Sequence, residues 1–194
     1  MICKGIELNG NTFFQNLKIA TNNKLTLVSG QNGSGKTTLL KILSKKSYTR
    51  HYFEGADCFN FINSSKATTL DFEVIIEGFK VKQSLSTYSR IFNSIQPVEN
   101  QYGFKQLGLL EYIDYPMSKL SLGTKKKLLI FLALSTKRNI ILLDEPFENL
   151  DEASCNILME LISEKVKEGK QFFITVHHSI ENLIGNTIYD KILL

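Results

Sequence analysis

Gly30-Gln31-Asn32-Gly33-Ser34-Gly35-Lys36-Thr37 is the stretch on which the reading of this chain turns. It fits the pattern glycine, four residues, glycine, lysine, then serine or threonine, and its flanks supply the context that pattern needs. Ahead of it, Lys24-Leu25-Thr26-Leu27-Val28-Ser29 is apolar and β-branched and predicts a strand. Behind it, Thr37-Thr38-Leu39-Leu40-Lys41-Ile42-Leu43 spaces its leucines as a helix does. Glycines let such a bend close into a nest of backbone N–H groups, and the helix N-terminus adds further donors for anionic oxygens. Residues Gly30 to Thr38 are therefore expected to wrap a phosphate chain. Lys36 would lie against the β- and γ-phosphates, the Thr37 hydroxyl would hold Mg2+, and Thr38 would cap the helix and touch the α-phosphate. A plain glycine-rich turn is the bland alternative, and the Lys-Thr pair in register disfavours it.

Two further strands follow from the pattern. Asn139-Ile140-Ile141-Leu142-Leu143 is too short for a helix and closes on Asp144-Glu145-Pro146. Gln171-Phe172-Phe173-Ile174-Thr175-Val176 is introduced by Gly169-Lys170 and ends at His177-His178. Between them, from about Ala153 to Lys167, the apolar stripe Ile157, Leu158, Leu161, Ile162 and Val166 has helical spacing. Alternation of strand and helix implies an α/β fold with a mostly parallel central sheet, whose functional groups gather at the carboxyl ends of its strands. Ile6 to Ile19 reads as a small antiparallel β part around Asn9-Gly10-Asn11. In the weakly periodic middle, helices are expected from Leu85 to Ile95 and from Gln101 to Tyr112, within a helical subdomain inserted at roughly 85–135 of a single domain spanning 1–194.

Asp144 and Glu145 end an apolar run, which sets one carboxylate beside the metal of the phosphate loop and the next beside the attacking water. Asp144 would bind Mg2+ through water, and Glu145 would act as general base at the γ-phosphate. Leu120-Ser121-Leu122-Gly123-Thr124 opens a helix with Ser121 near its N-cap. Taken alone, Ser121 is best read as a cap. In a chain that already has one phosphate site, however, its hydroxyl, the free N–H groups and the helix dipole make a second. A head-to-tail dimer explains both: Ser121 and Gly123 of one chain close over the nucleotide held by the other's phosphate loop. A histidine at a strand's carboxyl end can hydrogen-bond the γ-phosphate; strand register favours His177, with His178 as the alternative.

Composition narrows the classes. The 194 residues are 43% hydrophobic, enough for one domain with its own core. The net charge of +4 is spread out except at Lys125-Lys126-Lys127, so no nucleic-acid partner is expected. Cys3, Cys58 and Cys155 are odd in number and lack metal-ligand spacing, which argues against a disulfide framework and a zinc site. A spanning helix needs about 20 consecutive apolar residues. The longest run, Leu128 to Leu134, falls far short. No secretory signal is read at the N-terminus.

Taken in order, Gly30 to Thr38, Leu120 to Thr124, Ile140 to Glu145, Leu150-Asp151 and His177 resemble an ABC ATPase over nearly the whole chain. The resemblance implies a P-loop NTPase fold, Mg2+ with ATP, and a dimer with a second ATPase subunit, most simply itself. It also implies a separate transmembrane permease, at which the chain sits peripherally on the cytoplasmic face of the cell membrane. By the same resemblance Ser121 and Gly123 belong to the signature sequence, and Leu150-Asp151 is the loop that crosses the dimer interface. Three departures stand out. The signature is LSLGT rather than LSGGQ. The family's metal-contacting glutamine has two candidate regions, Gln83 and the closer-lying Ile75-Ile76-Glu77-Gly78-Phe79-Lys80. No aromatic stands near Leu8 and Asn9 where adenine stacks, and Phe13 and Phe14 read as core.

Among the subfamilies, short length, Glu77-Gly78-Phe79-Lys80 and Asp144-Glu145-Pro146-Phe147 resemble the ATPase of the haem exporter in cytochrome c maturation. The lysine triplet instead resembles drug and polysaccharide exporters, although a solvated helix face explains it equally well. Alternative functions are therefore another small exporter of drug, polysaccharide or lipid, or a soluble ABC-type ATPase acting on DNA or ribosomes. The last is disfavoured because Thr38 to Lys119 has no coiled-coil heptads.

Overall fold

Short apolar runs separated by amphipathic stretches can bury their apolar faces only by layering helices against a sheet. The computed structural model describes residues 6–8, 11–14, 23–44, 58–62, 78–91, 102–177, 180–184 and 188–194. Strands β1 (Ile6–Leu8) and β2 (Asn11–Phe14) pair antiparallel, as the Asn-Gly-Asn turn suggests. The main sheet contains β3 (Leu25–Ser29), β4 (Cys58–Ile62), β5 (Ile140–Asp144), β6 (Gln171–Val176) and β7 (Asp190–Leu193). Its order is β4-β5-β6-β3-β7, with every pairing parallel. The described helices are α1 (Lys36–Ser44), α2 (Val81–Ile91), α3 (Tyr102–Gln106), α4 (Leu122–Leu134), α5 (Glu152–Lys167) and α6 (Glu181–Ile184).

Period-two alternation along the strands divides the core between the faces of the sheet. Leu25, Leu27, Ile141, Leu143, Phe172 and Ile174 join a buried cluster with α2 to α6. Their alternates Val28, Leu142 and Phe173 are equally buried, as are Leu39, Leu40 and Leu43 of α1. Helix α4 explains its own placement: from Leu128 to Leu134 every residue is buried, so it runs through the core rather than over it.

Among the described residues the elements differ from the sequence reading at several points. The helix expected over Leu85–Ile95 begins earlier, at Val81, and that expected over Gln101–Tyr112 is the short α3 followed by a 3-10 turn at Leu110–Tyr112. Strands β4 and β7 were not read from the sequence. No helix among the described residues is long and apolar enough to cross a membrane.

Candidate functional site

The bend after β3 is built as its glycines demand. Gly33 and Gly35 have φ of 83° and 99°, the left-handed region that side chains disfavour. Gly30 meets a different limit: an added Cβ would lie 2.6 Å from the Leu194 carbonyl oxygen. The Ser34 N–H donates to Gln31 O at 3.1 Å and tightens the turn into α1. Lys36 is 5% exposed and curls back over the bend, its Nζ donating to Gly30 O at 2.8 Å and Gln31 O at 3.0 Å. The same ammonium is 3.2 Å from His177 Nδ1.

At the carboxyl end of β5, Asp144 is 2% exposed, yet both its oxygens are paired. Thr37 Oγ1 donates to its Oδ2 at 2.9 Å, and Thr175 Oγ1 donates to its Oδ1 at 2.6 Å. Thr175 also accepts the Glu145 N–H at 2.9 Å, which its place opposite Asp144 in the β5–β6 register allows. Glu145 and Glu148 both face His177: Oε1 of Glu145 pairs with Nε2, and Oε1 of Glu148 lies 3.5 Å from it. Lys36, Thr37, Asp144, Glu145 and His177 thus form one connected set at the carboxyl ends of β3, β5 and β6. The Thr37 hydroxyl and the Asp144 carboxylate are hard oxygen donors in contact, a pair that suits Mg2+.

Other expected residues lie outside that connected set. Ser121 caps α4, accepting the Thr124 N–H at 3.1 Å and contacting Thr124 Oγ1 at 2.8 Å, and it remains exposed. Asp151 caps α5, with its carboxylate accepting from Ser154 N and Ser154 Oγ, each at 2.8 Å. Those two donors hold the Asp151 carboxyl below its ordinary range. Gln83 is spent on helix α2, where Oε1 accepts the Lys80 N–H at 2.9 Å. His178, Ile75 to Glu77 and Asn9, with the side chains of Leu8, Phe13 and Phe14, lie outside the described residues.

Three neighbours of the site were not singled out from the sequence. Thr175 is the polar residue inside an apolar strand, and aligning the two parallel strands would have paired it with Asp144. Glu148 follows Glu145 by one tight turn. Lys126, in the triplet for which a solvated helix face was one of two readings, is 8% exposed and lies behind the loop after β5.

Comparisons with known proteins agree with this geometry. The family model described as ABC transporter matches residues 15–148. The cytochrome c biogenesis ATP-binding export protein CcmA of Reclinomonas americana is 32% identical over 195 residues, covering 94% of this chain and 85% of that protein. Its namesake in Wolbachia pipientis is 29% identical, covering 94% and 90%. The fold matches a nucleotide-free ATP-binding cassette from an ABC transporter with a TM-score of 0.64 at 18% identity, over 97% of this chain and 85% of that one. Domain model, relatives and fold converge: the chain belongs to the ABC transporter family, as an ATP-binding subunit of the kind that hydrolyses ATP to drive transport.

Proposed function

We propose that this chain binds MgATP on the Gly30–Thr38 bend, hydrolyses it with Glu145 as general base, and works as a homodimer that drives a separate membrane permease exporting haem for cytochrome c maturation. The observation that carries the chemical part is the connected set Lys36, Thr37, Asp144, Glu145 and His177. These residues come from three distant stretches of the chain, and a plain glycine turn at Lys36-Thr37 needs neither of the other two. The cargo reading is supported by the two cytochrome c biogenesis export proteins, which the chain matches over most of their own lengths.

Each residue's part follows from its placement. The amides of the bend and of the α1 N-terminus point at phosphate oxygens and favour negative charge there. Lys36 exchanges its carbonyl partners for the β- and γ-phosphates. Thr37 and Asp144 hold Mg2+, which when bound neutralises charge on the phosphate oxygens. Glu145 accepts a proton from the attacking water, and His177, in contact with both Lys36 and Glu145, hydrogen-bonds the γ-phosphate. Ser121 and Gly123 complete the site of the opposite chain across an interface that includes Asp151. The dimer sits against its permease on the cytoplasmic side of the membrane.

Glu145→Gln tests the chemistry. The variant should retain MgATP binding, turn over at least about a hundredfold more slowly, and run as a dimer in size-exclusion chromatography with MgATP. Wild-type turnover in Glu145→Gln removes the general-base assignment. Affinity purification from the native host, with mass spectrometry of co-purifying polytopic proteins, tests the cargo; a manganese or lipoprotein permease there overturns haem.

A further inference from the structure

Of the three consecutive lysines on α4, only Lys126 is buried; Lys125 and Lys127 are partly exposed. Its Nζ donates to the main-chain carbonyl oxygens of Glu145 and Glu148, each at 2.6 Å. Those carbonyls point inward because the loop between β5 and α5 bends through two left-handed residues, Glu145 at φ 50° and Asn149 at φ 59°. Such backbone persists in a side-chain-bearing residue only where its surroundings hold it. The grip on Glu145 is two-sided: its N–H donates to Thr175 Oγ1 of β6, and its C=O accepts from Lys126 of α4. The thiol of Cys155, on α5, lies 3.6 Å from Phe147 O and holds the same loop from a third element.

Removing Lys126 would leave the Glu145 and Glu148 carbonyl oxygens short of a donor, so its role in stability and its role in catalysis must be separated by measurement. The first turn of α4 also touches the loop directly, since a Cβ on Gly123 would stand 3.4 Å from the Asn149 carbonyl oxygen. Ser121 lies five residues ahead of Lys126, about 8 Å along a rigid helix.

We propose that Lys126 is a positioning residue for ATP hydrolysis, fixing the aim of the Glu145 carboxylate through its main chain and tying that aim to the Ser121 end of α4. Nucleotide engaged by Ser121 and Gly123 in one catalytic site thereby acts on the general base of the other site through a single helix. The inference rests on the proposed roles of Glu145 and Ser121.

The test uses the purified full chain, with steady-state MgATP hydrolysis and the affinity for a fluorescent ATP analogue measured side by side. Lys126→Met should lower kcat at least about tenfold while affinity stays within about twofold, and Lys126→Arg should restore at least about a third of the wild-type kcat. A folded Lys126→Met within twofold of the wild-type kcat overturns the proposal. So does a fall in affinity that matches the fall in kcat, or an arginine that restores nothing. Should the methionine chain fail to fold, Lys126→Gln carries the same expectation; if that also fails to fold, the lysine is a folding residue and the proposal falls. A wild-type chain that hydrolyses no ATP refutes the proposed function instead, which keeps the two failures apart.

Discussion

Thr175 serves two partners with one hydroxyl, donating to Asp144 Oδ1 and accepting the Glu145 N–H, at 0% exposure. Thr175→Val keeps the shape and removes both bonds, taking a donor from the buried Asp144 carboxylate and an acceptor from the Glu145 N–H. The expected cost is about 2 kcal/mol in urea unfolding, with turnover down about tenfold because Asp144 and Glu145 lose their common support. Unchanged unfolding midpoint and activity would refute that. At this scale the legibility of the site depended on spacing along the chain. The bend from Gly30 to Thr37 and the Asp144-Glu145 pair carry their chemistry in consecutive residues and were readable. Thr175 and Lys126 meet their partners only in space, so neither could be tied to Asp144 or Glu145 from the chain order.

Helix ends show the same division among elements. Helix α5 ends at a Schellman motif, with Gly169 at φ 102°, Lys170 N donating to Lys165 O and Gly169 N to Val166 O, and its end was read correctly. The same motif stops α3 at Gly108, φ 68°, with Leu109 N donating to Phe104 O and Gly108 N to Lys105 O. That glycine was a legible stop inside the longer helix expected there. Helix α2 is preceded by Lys80, whose N–H donates to Gln83 Oε1, half of a capping box without the usual Ser or Thr, so the start carried no familiar signal. The packing of α3 on α4 and α5 is set by Gly103, where an added Cβ would stand 2.8 Å from Leu161 Cδ2 and 3.0 Å from Phe131 Cε2. Gly103→Val should destabilise by about 2 kcal/mol in urea unfolding, because branching at Cβ overfills that contact. Gly103→Ala should cost less, since the gain in helix propensity offsets part of the squeeze.

For the molecule as a whole, alkaline stability follows from a lysine that ties α4 to β6. Lys170 donates to Leu134 O at 3.2 Å and to Thr136 O, and burial pulls its pKa down to about 8 from 10.5. A lowered lysine pKa means the unfolded chain binds more protons than the folded chain between those two values, so this group's contribution to stability rises with pH across that window. Below about pH 8 both states carry the charge and the burial penalty is paid in full. Tyr112 acts oppositely above its ordinary 10.0, because its hydroxyl donates a hydrogen bond to the Glu111 carboxylate, whose negative charge disfavours the phenolate. Urea midpoints of the wild type should therefore gain on those of Lys170→Met between pH 7.5 and 9.5. Parallel pH dependence in the two proteins would refute this assignment.

Sequence alone determined that a glycine-rich bend between strand and helix, an acidic pair after a buried strand and an alternating α/β order occur in this chain, because bend, strand and helix are written in neighbouring residues. Only the tertiary structure decided that β6 lies between β3 and β5, which brings Thr175 and His177 into the site. The same holds for Thr37 and Asp144, which meet across 107 residues. It also decided that Lys126 turns inward while its neighbours do not. Parallel strands pair through backbone bonds between distant segments, and no local pattern records which segment will be the neighbour.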